Sequence, residues 1–228
     1  PGESLSKVIK KHGLTQTVCG LIDQSIDLLV SINSAIVSKE ISEFYVKEDD
    51  LDILNRYESD LVALGLERKV IQELNEHMLY FHSRDEKYFL HGDYWQTNIM
   101  VDKNRICGII DWEFAEPKSN IPADIVWFLI NLGHCIYIRQ CPASGMVDSF
   151  QWAFFTRGEH SELLKALCKR FINRIGIADN MVVMLIKMTL LKMSLRELIT
   201  YGRHTNMDYV CLDMLKYISQ NQKNISIS

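Results

Sequence analysis

The stretch from Leu90 to Glu113, LHGDYWQTNIMVDKNRICGIIDWE, constrains this 228-residue chain more than any other part of it. It places Asp93, Asn98 and Asp111 within 19 positions, next to two short apolar runs. The pair Lys103-Asn104 between these runs resembles a turn, so the pattern predicts a loop, a short strand, a turn and a second short strand. Asn98 and Asp111 should then lie together at the mouth of a small hairpin.

These residue types suit phosphoryl transfer, which needs Mg²⁺ to neutralise the phosphates and a group that orients the attacking hydroxyl. Asp93 can accept the hydroxyl proton, and Asn98 and Asp111 offer the oxygen ligands that Mg²⁺ prefers. Protein kinases use the same order of a catalytic Asp, an Asn and a metal-binding Asp. Here, however, Gly92 replaces the Arg of their His-Arg-Asp triplet, and Trp112-Glu113 replaces their Phe-Gly.

The segments HGDYWQTNIMVD and IIDWEFA resemble the aminoglycoside phosphotransferase and choline kinase-like family, which phosphorylates small molecules on a protein-kinase-like fold. The resemblance implies that Asp93 is the catalytic residue and that Asn98 and Asp111 bind Mg²⁺ and, through it, ATP. It also implies structural roles for two further residues. His91 would make hydrogen bonds rather than act as the base, and Asp124 would brace the catalytic loop.

Each of these residues also has a plainer interpretation. His91 could itself be a general base, because its unperturbed pKa suits proton transfer near neutral pH. Asp93 could simply cap backbone amides of its loop, as Asp often does in turns. Asp124 could be an ordinary acidic residue in the first turn of a helix. The residues Tyr94 and Trp95 could belong either to the core or to a pocket wall.

Outside this stretch, apolar residues recur at helical spacing and predict a mainly α fold. Helices are expected from Ser4 or Ser6 to Lys11, from Thr15 or Thr17 to about Val37, from Asp49 or Asp50 to Leu64, through Ile71–Phe81, after Pro122, within Met146–Thr156, from Ser161 to Gly176, from Asp179 or Asn180 to Tyr201, and over about Met207–Gln220. A short strand, Tyr88–Leu90, should lead into the catalytic loop. Residues 38–50 are polar and acidic and predict a surface loop.

The chain begins Pro1-Gly2-Glu3-Ser4-Leu5, and the resembled family has a similar segment just after the hinge between its two lobes. A kinase of this type needs a β lobe before that hinge, with a loop over the phosphates and a Lys that pairs with them. No such segment precedes Asp93 here. We therefore expect residues 1–228 to form a single helical C-terminal lobe with a small β-hairpin. The N-terminal β lobe is expected to be absent from this chain, which would be part of a longer parent protein.

Composition narrows the possible partners. The net charge of −4 is too small to indicate nucleic-acid binding, and 11 Lys and Arg against 6 Asp and Glu in residues 151–228 argue weakly against a polycationic substrate. Six cysteines without paired spacing predict free thiols in the cytoplasm. The most apolar window, Met181–Met193, contains two Lys residues and is too short to span a bilayer, so no membrane partner is expected.

The expected function is Mg²⁺- and ATP-dependent phosphorylation of a small-molecule hydroxyl by the parent protein, this fragment alone being inactive. A non-catalytic module that binds a ligand or a protein is the alternative. A protein kinase is disfavoured by Gly92 and by the short segment after Asp111. Choline, aminoglycosides, sugars and homoserine all remain open as substrates. The face that an N-terminal lobe would cover should be apolar, so the isolated chain is expected to self-associate.

Overall fold

The computed structural model describes residues 2–37, 50–202 and 209–225. Residues 38–49 of the surface loop predicted over 38–50, and the predicted start of the last helix at Met207, lie outside these ranges. Helices dominate the described chain, which confirms the predicted mainly α fold. They are α1 (Leu5–His12), α2 (Gln16–Val37), α3 (Asp50–Ala63), α4 (Arg68–His82), α5 (Ala123–Tyr137), α6 (Met146–Phe155), α7 (Glu159–Arg174), α8 (Val182–Tyr201) and α9 (Val210–Asn221). Within the described ranges, no helix is both long and apolar enough to span a bilayer.

The predicted hairpin forms from β3 (Ile99–Asp102) and β4 (Arg105–Ile109), paired so that Ile99 faces Ile109. Its turn residues Lys103 and Asn104 have φ values of 48° and 62°. Positive φ at both central residues is the requirement of a type I′ turn, whose twist matches that of the flanking strands. The turn therefore fixes the pairing of Asp102 with Arg105, and an irregularity between Met100 and Val101 shifts the register of the pairs beyond it.

Two strand pairings were not predicted. β1 (Glu3–Ser4) pairs with β3 and extends the hairpin to three strands, and β5 (Glu116–Ser119) pairs with β2 (Tyr88–Leu90) in a second small sheet. The sequence predicted only a short loop between Asp111 and the next helix, whereas Pro117 lies within β5. An edge strand tolerates proline, since its outer N–H groups need no partner.

The strand β2 and the loop after it rest on the long helix α2. Tyr94 is completely buried, and its hydroxyl donates to the carbonyl oxygen of Ser25 in α2 at 2.7 Å. Tyr94 therefore belongs to the core, whereas the neighbouring Trp95 is half-buried. The buried hydrogen bond fixes the height of the loop above the helix.

Helix α8 runs through the centre of the protein and is buried on most sides, as its nearly continuous apolar sequence predicted. One of its charged residues, Lys187, is buried all the same. Its ammonium group donates to Glu73 of α4 at 2.6 Å and to the side-chain oxygen of Gln222 at 2.8 Å. A buried charge needs such partners to offset its loss of hydration.

This ion pair predicts an asymmetry in stability. Glu73→Ala leaves the buried ammonium of Lys187 without its counter-charge, and we expect a loss of about 3 kcal/mol in the free energy of unfolding. Lys187→Met removes the buried charge itself and leaves the partly exposed Glu73 to water, so we expect a loss of less than about 1.5 kcal/mol. Urea unfolding of both variants measures the difference. A larger loss in Lys187→Met would contradict this account.

Candidate active site

The side chain of Asp93 is held on both of its oxygens. The indole Nε1 of Trp127 donates to Oδ1 at 3.0 Å, and the amide Nδ2 of Asn98 donates to Oδ2 at 3.1 Å. Asp93 itself is only half-buried. Its carboxylate therefore has a fixed orientation while one side remains open to an incoming hydroxyl.

The backbone just before Asp93 is anchored by Asp124, in the first turn of α5. The carboxylate of Asp124 accepts hydrogen bonds from the backbone N–H of His91 at 2.6 Å and of Gly92 at 3.0 Å. Burial raises the pKa of Asp124 to about 7, although both N–H donors favour its charged form. Asp124 thus holds the shape of the loop and does not point toward an open pocket.

His91 connects the loop to the end of the hairpin. The backbone N–H of Asp93 donates to Nδ1 of His91 at 3.3 Å, so the ring proton lies on Nε2, which is 2.9 Å from the carbonyl oxygen of Ile110. Burial lowers the pKa of His91 and favours this neutral form. With both nitrogens engaged, His91 is placed to position the residue before Asp111.

Asn98 and Asp111 flank the same end of the hairpin. The backbone N–H of Ile110 donates to the carbonyl oxygen of Asn98 at 3.0 Å, which continues the strand pairing up to Asp111. Nδ2 of Asn98 also donates to the carbonyl oxygen of Asp93 at 3.0 Å. The amide oxygen of Asn98 is consequently turned away from the loop.

The backbone of Asp111 has a φ of 68°, a left-handed conformation that is uncommon for residues other than glycine and often occurs at functional sites. Its carboxylate is exposed. A carboxylate and an amide oxygen fit Mg²⁺, which commonly takes one or two protein ligands and completes its shell with water and phosphate oxygens. Among the described residues, no group of three or more His, Cys, Asp and Glu forms a richer metal site.

Sequence reasoning missed two side chains that hold this loop. Trp127 follows Asp124 by one helical turn, so the Asp-x-x-Trp spacing on α5 could have indicated it. Arg196 of α8 gave no such signal, because it lies 104 positions from the residue that it contacts. Its guanidinium donates to the carbonyl oxygen of Gly92 at 2.6 Å and stacks over the ring of Phe114, 4.4 Å from the ring centre.

Gly92 is required by this arrangement. It has a φ of 81°, and a Cβ atom at this position would lie 2.1 Å from the carbonyl oxygen of Phe114. The segment after Asp111 therefore packs directly against the loop before Asp93. This close approach explains why Gly stands where protein kinases carry Arg.

Comparisons with known proteins place this geometry in context. Residues 20–132 match the profile of the phosphotransferase enzyme family. No curated protein sequence matches the chain.

Several solved structures have a fold similar to that of this chain. A glucosamine kinase in complex with glucosamine, ADP and inorganic phosphate has a TM-score of 0.53 at 8% identity, covering 96% of this chain and 59% of the other. A second glucosamine kinase crystal form has a TM-score of 0.51 at 9% identity, covering 96% and 58%. An aminoglycoside phosphotransferase mutant with ADP and hygromycin B has 0.49 at 14% identity, covering 96% and 69%. The chain thus spans about three fifths of the glucosamine kinase, and the likeness to it indicates a kinase-like fold.

The contact at Gly92 leads to a prediction. Gly92→Ala introduces both a clash and an unfavourable φ, so we expect the free energy of unfolding to fall by at least about 2 kcal/mol. Gly20→Ala is the matched control, because a Cβ at position 20 of α2 meets nothing within 4 Å. We expect Gly20→Ala to gain about 0.5–1 kcal/mol from its better helix propensity. Urea unfolding compares the two, and similar effects would refute the packing argument.

Proposed function

We propose that the parent protein of this chain transfers the γ-phosphate of ATP to a hydroxyl of a small molecule, because residues 20–132 match the profile of the phosphotransferase enzyme family. The observation that carries this proposal is the fixed carboxylate of Asp93, held by Trp127 and Asn98 at the end of the hairpin that terminates in Asp111. Phosphoryl transfer depends mainly on positioning and charge stabilisation, and this arrangement supplies both.

In the proposed reaction, Asp93 accepts a hydrogen bond from the acceptor hydroxyl, aligns it for attack and takes its proton. The donors Trp127 and Asn98 keep the carboxylate from rotating away. His91 and Asp124 contribute indirectly, because each fixes backbone atoms of the loop or hairpin. A rigid loop lowers the entropic cost of orienting the hydroxyl for attack, which is a large part of catalysis by proximity.

Asn98 and Asp111 are the residues that would hold Mg²⁺. When bound there, the ion would neutralise charge on the phosphate oxygens of ATP. The glucosamine kinase with a similar fold was solved with ADP, which supports nucleotide use by this chain as well. Glucosamine, which is present in that structure, supports a hydroxyl-bearing small molecule as the acceptor.

We propose further that this chain supplies only the helical lobe and that a β lobe elsewhere in the parent protein completes the nucleotide site. The coverage of about three fifths of the glucosamine kinase supports this division, and on this basis the isolated chain lacks turnover. Ile110, Trp112 and Phe114 at the hairpin end are each more than 40% exposed. Their apolar surface suits contact with a second lobe or, in the isolated chain, self-association. The same surface is the observation that favours the alternative function, a non-catalytic module that binds a protein.

The first test of the proposed function is Asp93→Asn in the full parent protein. We expect turnover to fall by about 10²–10⁴, because the amide cannot take the proton, while ATP binding is retained. The measurement is transfer from labelled Mg²⁺-ATP to a panel of choline, homoserine, glucose and glucosamine. Asp102→Asn, an exposed residue of the same hairpin, is the matched control. Full turnover in Asp93→Asn would refute the catalytic assignment, and absence of ATP binding in the unmutated protein would favour the binding module.

The metal assignment has its own test. Asp111→Ala removes the carboxylate ligand, so we expect the affinity for Mg²⁺-ATP to fall by at least about tenfold. Calorimetric titration of nucleotide in the presence and absence of Mg²⁺ measures this loss. Asp102→Ala, which removes a carboxylate from the turn end of the hairpin, should leave the titration unchanged. Equal Mg²⁺-ATP affinity in Asp111→Ala and the unmutated protein would remove Asp111 from the metal site.

A further inference from the structure

A buried ion cluster lies beside the loop before Asp93, where helix α8 meets α3 and β5. The ammonium Nζ of Lys192 is 2.7 Å from Oδ2 of Asp50 and 2.9 Å from Oε2 of Glu116. Each of these three side chains is at most 12% exposed. Two carboxylates thus share one ammonium, which leaves one negative charge in excess. Away from water, such a charge acts strongly on its neighbours because the dielectric is low.

Glu116 is the member of this cluster that adjoins the loop. In the pairing of β5 with β2, it lies opposite Leu90, which directly precedes His91. Glu116 and Lys192 also line, together with Gly92, a cavity of about 210 Å³. The excess negative charge therefore lies next to the backbone groups whose hydrogen bonds hold the loop.

Asp124 is the group on which this charge acts. Burial raises the pKa of Asp124 to about 7, the hydrogen bonds from the loop lower it, and the charge of Glu116 raises it. Arg196 of α8 acts in the opposite direction, and Tyr94 of the loop also lies close enough to interact with this carboxyl. The helices α1, α6 and α7 contact α5 around residues 133–135, about three turns from Asp124.

The protonation state of Asp124 decides how well it holds the loop. As a carboxylate it accepts the N–H of His91 at 2.6 Å and the N–H of Gly92 at 3.0 Å. A protonated carboxyl carries an O–H donor on one oxygen and offers less acceptor capacity to two N–H groups. Hydrogen bonds to a charged acceptor are also the stronger ones. Uptake of a proton by Asp124 therefore loosens the residues before Asp93.

We propose that Glu116 is a positioning residue for the proposed reaction, and that its charge acts through Asp124 on the loop that carries Asp93. The inference rests on the proposed function, because this loop presents the carboxylate that would accept the hydroxyl proton. Lys192 limits the effect, since it compensates one of the two carboxylates in the cluster. As the pH falls through about 7, Asp124 takes up a proton, so turnover should fall with it.

The test is Glu116→Gln in the full parent protein, which removes the charge but keeps the size of the side chain and an oxygen for Lys192. We expect the pKa of Asp124 to fall by at least about half a unit, because a like charge no longer opposes its ionisation. The NMR resonances of the Asp124 carboxyl carbon and of the Gly92 amide, followed against pH, measure this shift without turnover. The pH at which kcat is half-maximal should fall by the same amount.

Two matched variants separate the charge of Glu116 from disruption of the cluster. Asp50→Asn removes the other carboxylate from Lys192 but leaves Glu116 charged. Glu162→Gln removes a charge from an exposed position of α7. We expect both to shift the pKa of Asp124 much less than Glu116→Gln does, because the carboxylate beside the loop is unchanged. Thermal unfolding of each variant checks that the fold is intact.

The outcomes distinguish this inference from the proposed function. An unchanged titration of Asp124 in Glu116→Gln would overturn the inference, and so would an equal shift in Asp50→Asn. A shift at Asp124 in an active protein whose kcat keeps its pH dependence would overturn it as well. A shift at both Asp124 and Gly92, with no phosphate transfer even in the unmutated protein, would support the link to the loop and refute the proposed reaction. Matching shifts in the NMR titration and in kcat would support both.

Discussion

The candidate site depends on one buried interaction, the pair of hydrogen bonds from the N–H groups of His91 and Gly92 to the carboxylate of Asp124. Asp124 has no exposed surface to speak of, and burial alone would favour its neutral form. The two backbone donors offset part of that penalty and at the same time order the loop. Burying this carboxylate therefore costs free energy of hydration. Its two hydrogen bonds hold the residues before Asp93 in a single conformation.

The loop before Asp93 is fixed by contacts from three sides. Asp124 and Trp127 approach from α5, Arg196 from α8, and His91 reaches across to the hairpin. These contacts join the two Asp residues of the site into one unit, since His91 binds the carbonyl before Asp111 and Gly92 packs against the segment after it. A change at any of these points should move both Asp93 and Asp111.

Buried charge recurs on the central helix α8 and connects the site to the core. Lys192 bonds to Asp50 of α3 and to Glu116 of β5, and although burial lowers the pKa of Lys192, the two carboxylates raise it overall. One helix turn further on, Arg196 contacts the loop, and Glu197 next to it accepts a hydrogen bond of 3.4 Å from the backbone N–H of Cys211. Helix α8, whose sequence indicates an apolar core helix, thus carries charged residues on the side that contacts the candidate site.

The sequence alone determined the mainly helical class, the loop that carries Asp93 and the β3–β4 hairpin that Asn98 and Asp111 flank. It could do so because all three residues lie within one short segment, where chain connectivity and a two-residue turn leave few geometries. Only the tertiary structure decided that Trp127 and Arg196 hold the loop and that β1 and β5 join the sheets. Helical periodicity gives the face of a helix that is buried, but the rotation and depth at which distant helices dock depend on packing of the whole core.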